Sequence, residues 1–292
     1  VSKAKSLALV TAAYVVAFLA FSAWMAWGPR TGRLWLDGLL ADLLATVIVF
    51  GFSRAFRNSS LYDAYWSVLP PFLMVAWWLR TDVPSDDVRA WLTLSVILVW
   101  AIRLTGNWAY GWPGLQHEDW RYPMLKAKSG RLEAVVDLMA IHVFPTVQVF
   151  VGMLPAYVVL THRGRTTGWL DAAAVAVGLA AVALEFVADV QMHRFARTKQ
   201  PGQVIDGGVW RWSRHPNYFG EFSFWLALAL FGLAAAPATW WWIFVGAALM
   251  FALFEFASIP MMEQRSLERR PSYQDIIDRV PRFVPRPPRR SA

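Results

Sequence analysis

The stretch WLDAAAVAVGLAAVALEFVADVQM, residues Trp169 to Met192, decides the fold class. An apolar run of about 20 residues crosses a bilayer as one helix. Other apolar runs of similar character are Leu7 to Trp27, Leu34 to Phe52, Tyr62 to Leu79, Ala90 to Tyr110, Ala134 to Leu160, Phe222 to Ala236 and Trp240 to Ile259. The pattern predicts an all-α polytopic integral membrane helix bundle with seven to eight transmembrane helices. Leu34 to Phe52 carries Asp37 and Asp42, so it is the first run to remove if there are seven.

The composition fits this class. Hydrophobic residues make up 57% of the chain, and many of the 18 tryptophans stand near the ends of the apolar runs, as in an interfacial aromatic belt. The absence of cysteine excludes a disulfide framework and a thiolate metal site. The net charge of +8 comes from loops and the tail rather than from a nucleic-acid motif. We expect a lipid bilayer as partner, no nucleic acid and no metal.

Lysine and arginine concentrate in alternate loops, which indicates the cytoplasmic side of the membrane. With eight helices, this asymmetry predicts that both termini are cytoplasmic. The charged residues inside the runs, among them Asp63, Asp137, Glu185 and Glu255, then fall in the cytoplasmic halves of their helices. Such a distribution favours a cavity that opens to the cytosol over scattered structural ion pairs.

The stretch DGGVWRWSRHPNYFGE, residues Asp206 to Glu221, collects polar side chains between two apolar runs. Arg211 and Arg214 are donors suited to phosphate, and His215 is a titratable ring. Pro216 predicts a helix that begins just after it, with Asn217 near the N-cap. A helix start beside two arginines suits an anion, so this stretch is a candidate binding site.

RHPNYFGE, residues 214–221, together with the preceding GGVW, resembles the C-terminal signature of the steroid 5α-reductase-like membrane proteins, bacterial members included. Shorter forms of this signature also occur in sterol reductases and in isoprenylcysteine carboxyl methyltransferases. The resemblance covers about residues 58–285 of a single membrane domain, 1–292, with N-terminal helices in 1–53 and a Pro/Arg-rich tail in 281–292. It implies NADPH as cofactor, a lipophilic Δ4-3-ketosteroid as substrate and hydride transfer to the enone β-carbon. It also implies a bacterial inner-membrane location with the cofactor site on the cytoplasmic side.

The resemblance implies a catalytic role for Asp63. Tyr62-Asp63 stands where the steroid reductases have Gln-Glu, at the same spacing from Pro70. A carboxyl here, with Tyr62 or Tyr65, would donate a hydrogen bond to the substrate carbonyl as negative charge develops. The alternative is that Tyr62 and Asp63 only cap the helix at the interface. Trp100 replaces the tyrosine that the family pairs with an arginine, here Arg103.

Further residues are expected to bind the cofactor. Glu185, Asp189, His193 and Arg197 recur at four-residue steps on one helix face, where the family contacts the dinucleotide. The full set expected to bind NADPH is Arg103, Arg121, Glu185, Asp189, His193, Arg197, Arg211, Arg214, His215, Asn217, Tyr218, Glu221, Glu263, Arg265, Arg269 and Tyr273, with Lys199 as a further phosphate candidate. The alternatives are a structural ladder on the helix face, solvated positive-inside arginines and a basic surface helix over residues 263–273.

Other functions stay open at this point. No Gly-x-Gly-x-x-Gly motif is present, so a Rossmann domain is excluded. His117, Glu118 and Asp119 have no second histidine at metal-ligand spacing. An S-adenosylmethionine-dependent isoprenylcysteine-type methyltransferase, another membrane reductase of sterols or enone lipids, and a non-catalytic sterol-binding module are the competing interpretations.

Overall fold

The computed structural model describes residues 2–162 and 165–288, and within these ranges it contains helices and no strand. The chain divides into two compact units, residues 1–164 and 165–292. Among the described residues, seven helical segments are long and apolar enough to cross a membrane: Lys3–Trp27, Leu34–Ala55, Val88–Gly111, Gly130–Thr161, Trp169–Thr198, Pro216–Ala235 and Val245–Arg269. The predicted all-α polytopic membrane fold is confirmed. The prediction of one membrane domain stays a prediction, and residues 289–292 of the predicted tail lie outside the described residues.

The first unit begins with two long helices, α1 (Lys3–Trp27) and α2 (Leu34–Ala55), which pack against each other. Ser2 caps α1 by accepting a hydrogen bond from the backbone N–H of Lys5. The α2 helix includes both aspartates that made its sequence ambiguous. Asp37 lies in its first turn, where the helix dipole favours an acid, and accepts from Thr31; Asp42 is fully buried. The apolar run over α2 is therefore a helix of spanning length.

The third predicted span differs from the structure. The run from Tyr62 opens with a 3-10 turn, Ser59–Tyr62, and the α-helix α3 covers only Tyr65–Trp78. Asn58 accepts from the N–H of Ser60 and thereby favours the tighter turn. With 14 residues, α3 is about 21 Å long, which is shorter than the roughly 30 Å hydrocarbon layer.

The rest of the first unit contains α4 (Val88–Gly111), α5 (Arg121–Ala127) and one continuous helical segment. This segment runs through a 3-10 turn, α6 (Glu133–Val136), a π-helical stretch (Asp137–Val143) and α7 (Phe144–Thr161). Pro145 lies at the start of α7, where it has no N–H to donate and its ring crowds the carbonyl four residues earlier. A widened π turn just before it accommodates this proline.

The second unit is built on α8 (Trp169–Thr198) and α9 (Pro216–Ala235), which lie side by side along their length. Gly220 permits this approach, since a Cβ at that position would collide with Glu185 Cγ on α8. Pro216 is the first residue of α9 and His215 occupies the N-cap. The predicted helix start is therefore confirmed within one residue, with Asn217 inside the helix rather than at its cap.

The second unit ends in four shorter elements. The predicted run from Trp240 is turn at first, and α10 begins at Val245 (Val245–Leu253); a π-helical stretch (Phe254–Ser258), α11 (Ile259–Arg269) and α12 (Tyr273–Arg279) follow. Pro260 stands at the start of α11, again directly after a π turn. Tyr273, Ile276 and Val280 form a small buried core around α12.

Candidate functional site

The segment 58–63 between α2 and α3 is the polar centre of the first unit. Its side chains are almost all buried, although most are polar. The Asn58 amide donates to the carbonyls of Leu115 (2.9 Å) and His117 (3.0 Å), and Ser60 Oγ accepts from the N–H of Asp119 (2.9 Å). Residues 115–122 are thereby held along the segment, because the buried Asn58 and Ser60 side chains find their hydrogen-bond partners there.

This arrangement brings Tyr122 to Asp63. The Tyr122 hydroxyl donates to Asp63 Oδ1 across 2.5 Å, and both side chains are half-buried. From the sequence we expected Tyr62 or Tyr65 as the phenol beside Asp63, and Tyr122 was not among the predicted site residues. Tyr122 ends the stretch Asp-Trp-Arg-Tyr, residues 119–122, and this grouping of polar side chains next to the predicted Arg121 was the signal that could have identified it.

Burial sets the protonation of this pair. Asp63 precedes α3 and lies outside the seven candidate spans; its burial raises the pKa to about 7 from the ordinary 3.8, against the lowering effect of hydrogen bonds from Tyr122 and Ser60. Burial also raises the pKa of Tyr122. Arg121 donates to both oxygens of Asp119 (2.8 and 3.0 Å) and holds the pKa of that carboxyl down despite its burial. Asp119 is therefore ionised, whereas Asp63 exchanges its proton near neutral pH.

The two tyrosines that were predicted to be catalytic, Tyr62 and Tyr65, lie in the core of the unit. Tyr62 and Tyr65 are 1% and 0% exposed. The Tyr62 hydroxyl shares a hydrogen bond of 2.7 Å with Thr146, and that of Tyr65 donates to Asp42 Oδ1 at 3.0 Å. Both hydroxyls are used inside the bundle, so the structure brings Asp63 together with Tyr122 rather than with these two rings.

Asp137 is the centre of a second polar cluster in this unit. It accepts from Ser59 Oγ at 2.8 Å and pairs with Arg54 at 3.2 Å. His142 is fully buried, with Nδ1 2.9 Å from the Asp137 carbonyl oxygen and Nε2 3.1 Å from Ser53 Oγ. These contacts join α2, the 58–63 segment and the π turn, which is a structural role. Among the predicted residues of α4, Trp100 is buried against Trp66 and Arg103 is half-buried.

The second unit contains the Arg-His-Pro stretch, and Arg214 is its most connected residue. Its guanidinium donates to Glu263 Oε1 (2.6 Å) and to the carbonyls of Ile277 (2.9 Å) and Val280 (2.6 Å). The Arg214 side chain is 7% exposed and that of Glu263 13%. Arg214 therefore fastens the start of α9 to α11 and α12 through its Nε and Nη1 donors.

His215 shares the Glu263 carboxylate and begins an aromatic stack. Its Nε2 lies 3.1 Å from Glu263 Oε1. The ring is stacked on Tyr218 (centroids 5.6 Å apart), which is stacked on Phe254 (4.8 Å). Burial lowers the pKa of His215, while the Glu263 carboxylate opposes that effect. The structure thus brings Arg214, His215, Tyr218 and Glu263 into one cluster.

The remaining predicted cofactor residues of this unit lie in different surroundings. Glu221 is buried and accepts from Trp225 Nε1 at 2.9 Å. Glu185, Asp189, His193 and Arg197 all lie on α8, where Glu185 is buried, Asp189 and His193 are half-buried and Arg197 is exposed. Arg211 and Arg269 are exposed, and Asn217 and Arg265 are half-buried. Tyr273 belongs to the α12 core, where burial raises its pKa to about 12.

The segment after α12 contributes contacts that the sequence analysis missed. Arg282 pairs with Glu255 at 2.8 Å and lies 3.8 Å from Glu263 Oε2. Ser213 Oγ donates to the Phe283 carbonyl at 2.7 Å. The first residues of the Pro/Arg-rich tail therefore complete the Arg214 cluster.

Two cavities open within the second unit. The larger, about 450 Å³, is lined by Arg214 and by residues between Ile277 and Pro287. The other, about 410 Å³, is lined by Lys199, Gln200, Pro201, Gly202, Gln203, Arg269 and Arg270. In the part of the chain that the structure describes, no group of three or more His, Asp or Glu side chains is arranged to hold a metal ion.

Comparisons with other proteins place these residues in a family. A family model described as "Protein of unknown function (DUF1295)" matches residues 49–280, which include Asp63, Tyr122 and Arg214. A protein of Schizosaccharomyces pombe (strain 972 / ATCC 24843), described as "Uncharacterized protein C594.04c", is 27% identical over 276 residues, with 85% of this chain and 79% of the yeast protein covered. No solved structure matches the chain.

Proposed function

The chain belongs to the family described as "Protein of unknown function (DUF1295)", and from its own residues we propose that it is an integral membrane oxidoreductase. The proposed reaction is the NADPH-dependent reduction of the Δ4 double bond of a lipophilic 3-ketosteroid or a similar enone. The observation that carries this proposal is the hydrogen bond between Tyr122 and Asp63. It combines a carboxyl that exchanges its proton near pH 7 with a phenol that fixes one carboxyl oxygen.

Asp63 would act as the donor to the substrate carbonyl. When the carboxyl is protonated, Tyr122 holds Oδ1 and the acid proton is available on the other oxygen. A preorganised donor of this kind stabilises the negative charge that develops on an enone oxygen during reduction at the β-carbon. A carboxyl with a pKa near the working pH suits this role, because it is present as an acid and can also release its proton.

The donors of the second unit fit a dinucleotide by their chemistry. Arg211 is exposed and Asn217 half-buried, and these side chains suit a phosphate and a carboxamide. Arg265 on α11 adds positive charge. Arg214, His215 and Glu221 are occupied by internal partners, so we assign them the positioning of α9 rather than direct contact. NADPH, when bound, supplies the hydride.

The first test is ligand selectivity. We expect NADPH to raise the melting temperature of the detergent-solubilised protein, because a ligand that binds only the folded state stabilises it. The methyltransferase interpretation predicts stabilisation by S-adenosylmethionine instead, and a sterol-binding module predicts stabilisation by sterol alone. Either of those results without a response to NADPH would overturn the proposal.

The second test is chemistry at Asp63. We expect single-turnover oxidation of NADPH by progesterone, with a rate lowered about 100-fold in Asp63→Asn and abolished in Asp63→Leu. NADPH binding should persist in both variants. Asp86→Leu is the matched control, since Asp86 is an exposed aspartate of the same unit. Wild-type rates in Asp63→Leu would remove Asp63 from the reaction.

A further inference from the structure

The 410 Å³ cavity of the second unit lies at the C-terminal ends of two candidate membrane-spanning segments. Lys199 follows the last residue of α8, and Arg269 is the last residue of α11. Both segments are apolar enough to cross a bilayer. The α8 helix has 30 residues and a length of about 45 Å, which exceeds the hydrocarbon layer of roughly 30 Å, so a pocket at its C-terminal end lies beyond that layer, in the region of the lipid headgroups.

The lining of this cavity is cationic. Lys199, Arg269 and Arg270 line it, and no aspartate or glutamate is among its lining residues. Within the described residues, Lys199 and Arg269 make no ion pair. Three like charges around one cavity repel each other, and an anion between them would relieve that repulsion.

The walls of the cavity are fixed by hydrogen bonds. Residues Gln200 to Gln203 form a turn in which the N–H of Gln203 donates to the Gln200 carbonyl at 3.1 Å, and Gly202 takes a φ of +79° that favours glycine. Ser272 Oγ donates to the Gly202 carbonyl at 3.1 Å, and Arg270 Nη1 to that of Gln203 at 3.4 Å. The turn is thus joined to the α11–α12 connection on the opposite wall.

An apolar cluster supports the same walls from behind. Val204, directly after the turn, and Leu267 on α11 both pack against the buried core around α12. The backbone segments that carry the three cations are therefore held by hydrophobic packing of their own, so the cavity is formed without a ligand. Binding to a preformed site costs less conformational free energy than binding to a site that must first be ordered.

We propose that this cavity binds the phosphate group of an anionic membrane phospholipid. Guanidinium groups pair with phosphate oxygens through paired N–H donors, and Lys199 adds a point charge. The volume of about 410 Å³ accommodates a glycerophosphate headgroup. The position at the helix ends favours a lipid over a soluble anion, since the lipid phosphate is already held at that depth. This proposal does not depend on the proposed reductase activity.

The experiment compares lipids in detergent. We expect phosphatidylglycerol to raise the melting temperature of the wild-type protein more than phosphatidylcholine does, because only the former carries net negative charge. In the triple variant Lys199→Gln/Arg269→Gln/Arg270→Gln, the concentration of phosphatidylglycerol needed for half of the effect should rise at least tenfold. The matched control is Arg57→Gln/Lys128→Gln/Arg131→Gln, which removes three exposed cations from the first unit and should keep the wild-type response.

Three outcomes would overturn the proposal. An equal response to both lipids in the wild type would show that the cavity does not select anionic phosphate. An equal loss in the control variant would assign the effect to diffuse charge. A triple variant that keeps its phosphatidylglycerol response but no longer binds NADPH would assign the cavity to a nucleotide phosphate. Should the triple variant fail to fold, Arg269→Gln alone, at an exposed position, gives the same comparison.

Discussion

The hydroxyl of Tyr122 lies 2.5 Å from Asp63 Oδ1, although the two residues are 59 positions apart in the chain. The contact exists because residues 115–122 are held along the 58–63 segment by the Asn58 and Ser60 side chains. The contact and the burial around it change the pKa of Asp63 in the folded state, so the stability of the protein depends on pH through this carboxyl.

We predict that Asp63 makes stability fall as the pH rises towards neutral. The folded pKa of about 7 lies above the ordinary value of 3.8, so the protonated carboxyl stabilises the fold fully below about pH 4, and this contribution is lost as the pH rises through about 7. Melting temperatures of wild type and Asp63→Asn across that range should differ in slope. Asp119→Asn is the contrasting control, because the lowered pKa of Asp119 gives a contribution that is lost as the pH falls. Parallel profiles for wild type and Asp63→Asn would contradict the prediction.

Tyr122→Phe should move the same transition to higher pH. The Tyr122 hydrogen bond lowers the pKa of Asp63, so its removal leaves burial less opposed. The expected result is a shift in the midpoint of the pH dependence of the melting temperature, with little change in helix content. Tyr110→Phe, at an exposed tyrosine of the same unit, is the control. An unshifted midpoint in Tyr122→Phe would mean that the Tyr122 hydroxyl makes no hydrogen bond to the Asp63 carboxyl in solution.

Removal of the Arg214 side chain should destabilise the second unit strongly. In Arg214→Gln, the Glu263 carboxylate keeps its charge but loses its closest partner, and two backbone carbonyls lose theirs. Breaking a buried pair in this way costs about 3–5 kcal/mol. Limited proteolysis should then cut the segment after Tyr273 at lower protease concentration. Arg211→Gln is the control, since Arg211 is exposed three positions earlier, and equal sensitivity of the two variants would contradict this role of Arg214.

Gly220→Ala should weaken the packing of α9 against α8. The added methyl group would collide with Glu185 Cγ and approach the backbone oxygen of Ala181. Overpacking of this kind costs about 1–3 kcal/mol. Gly106→Ala is the helical control: a Cβ there meets nothing within 4 Å, so alanine should be neutral or slightly stabilising. Thermal unfolding in detergent distinguishes the two, and an equal or higher melting temperature for Gly220→Ala would contradict the packing argument.

The orientation in the membrane gives a further prediction. We expect reporters fused before Val1 and after Ala292 to read cytoplasmic, as the distribution of lysine and arginine indicates. In the part of the chain that the structure describes, seven segments qualify as spans by length and hydropathy. Two cytoplasmic ends therefore require one more crossing, for which α3 with its short helix is the candidate. Reporters on opposite sides would show that α3 does not cross.

The sequence by itself determined the fold class and most helix positions. Long apolar runs have one stable structure in a bilayer, because every backbone donor and acceptor must be satisfied within the segment. The proline of Arg-His-Pro likewise fixed the start of α9 within one residue, since its φ and missing N–H suit the first turn. Asp63 and the Arg214 stretch were identified as candidates because charged residues within or beside membrane-spanning runs are energetically costly and often mark functional sites.

Only the tertiary structure decided which of these residues meet. Tyr62 and Tyr65 neighbour Asp63 in sequence, yet their hydroxyls bind Thr146 and Asp42, while Tyr122 reaches Asp63 from a distant loop. Local patterns give the face of a helix but not the partner of a polar side chain, which is chosen by burial and by loops that close over long separations. The same reason explains Arg214, which looked like a phosphate ligand and instead holds Glu263 and α12.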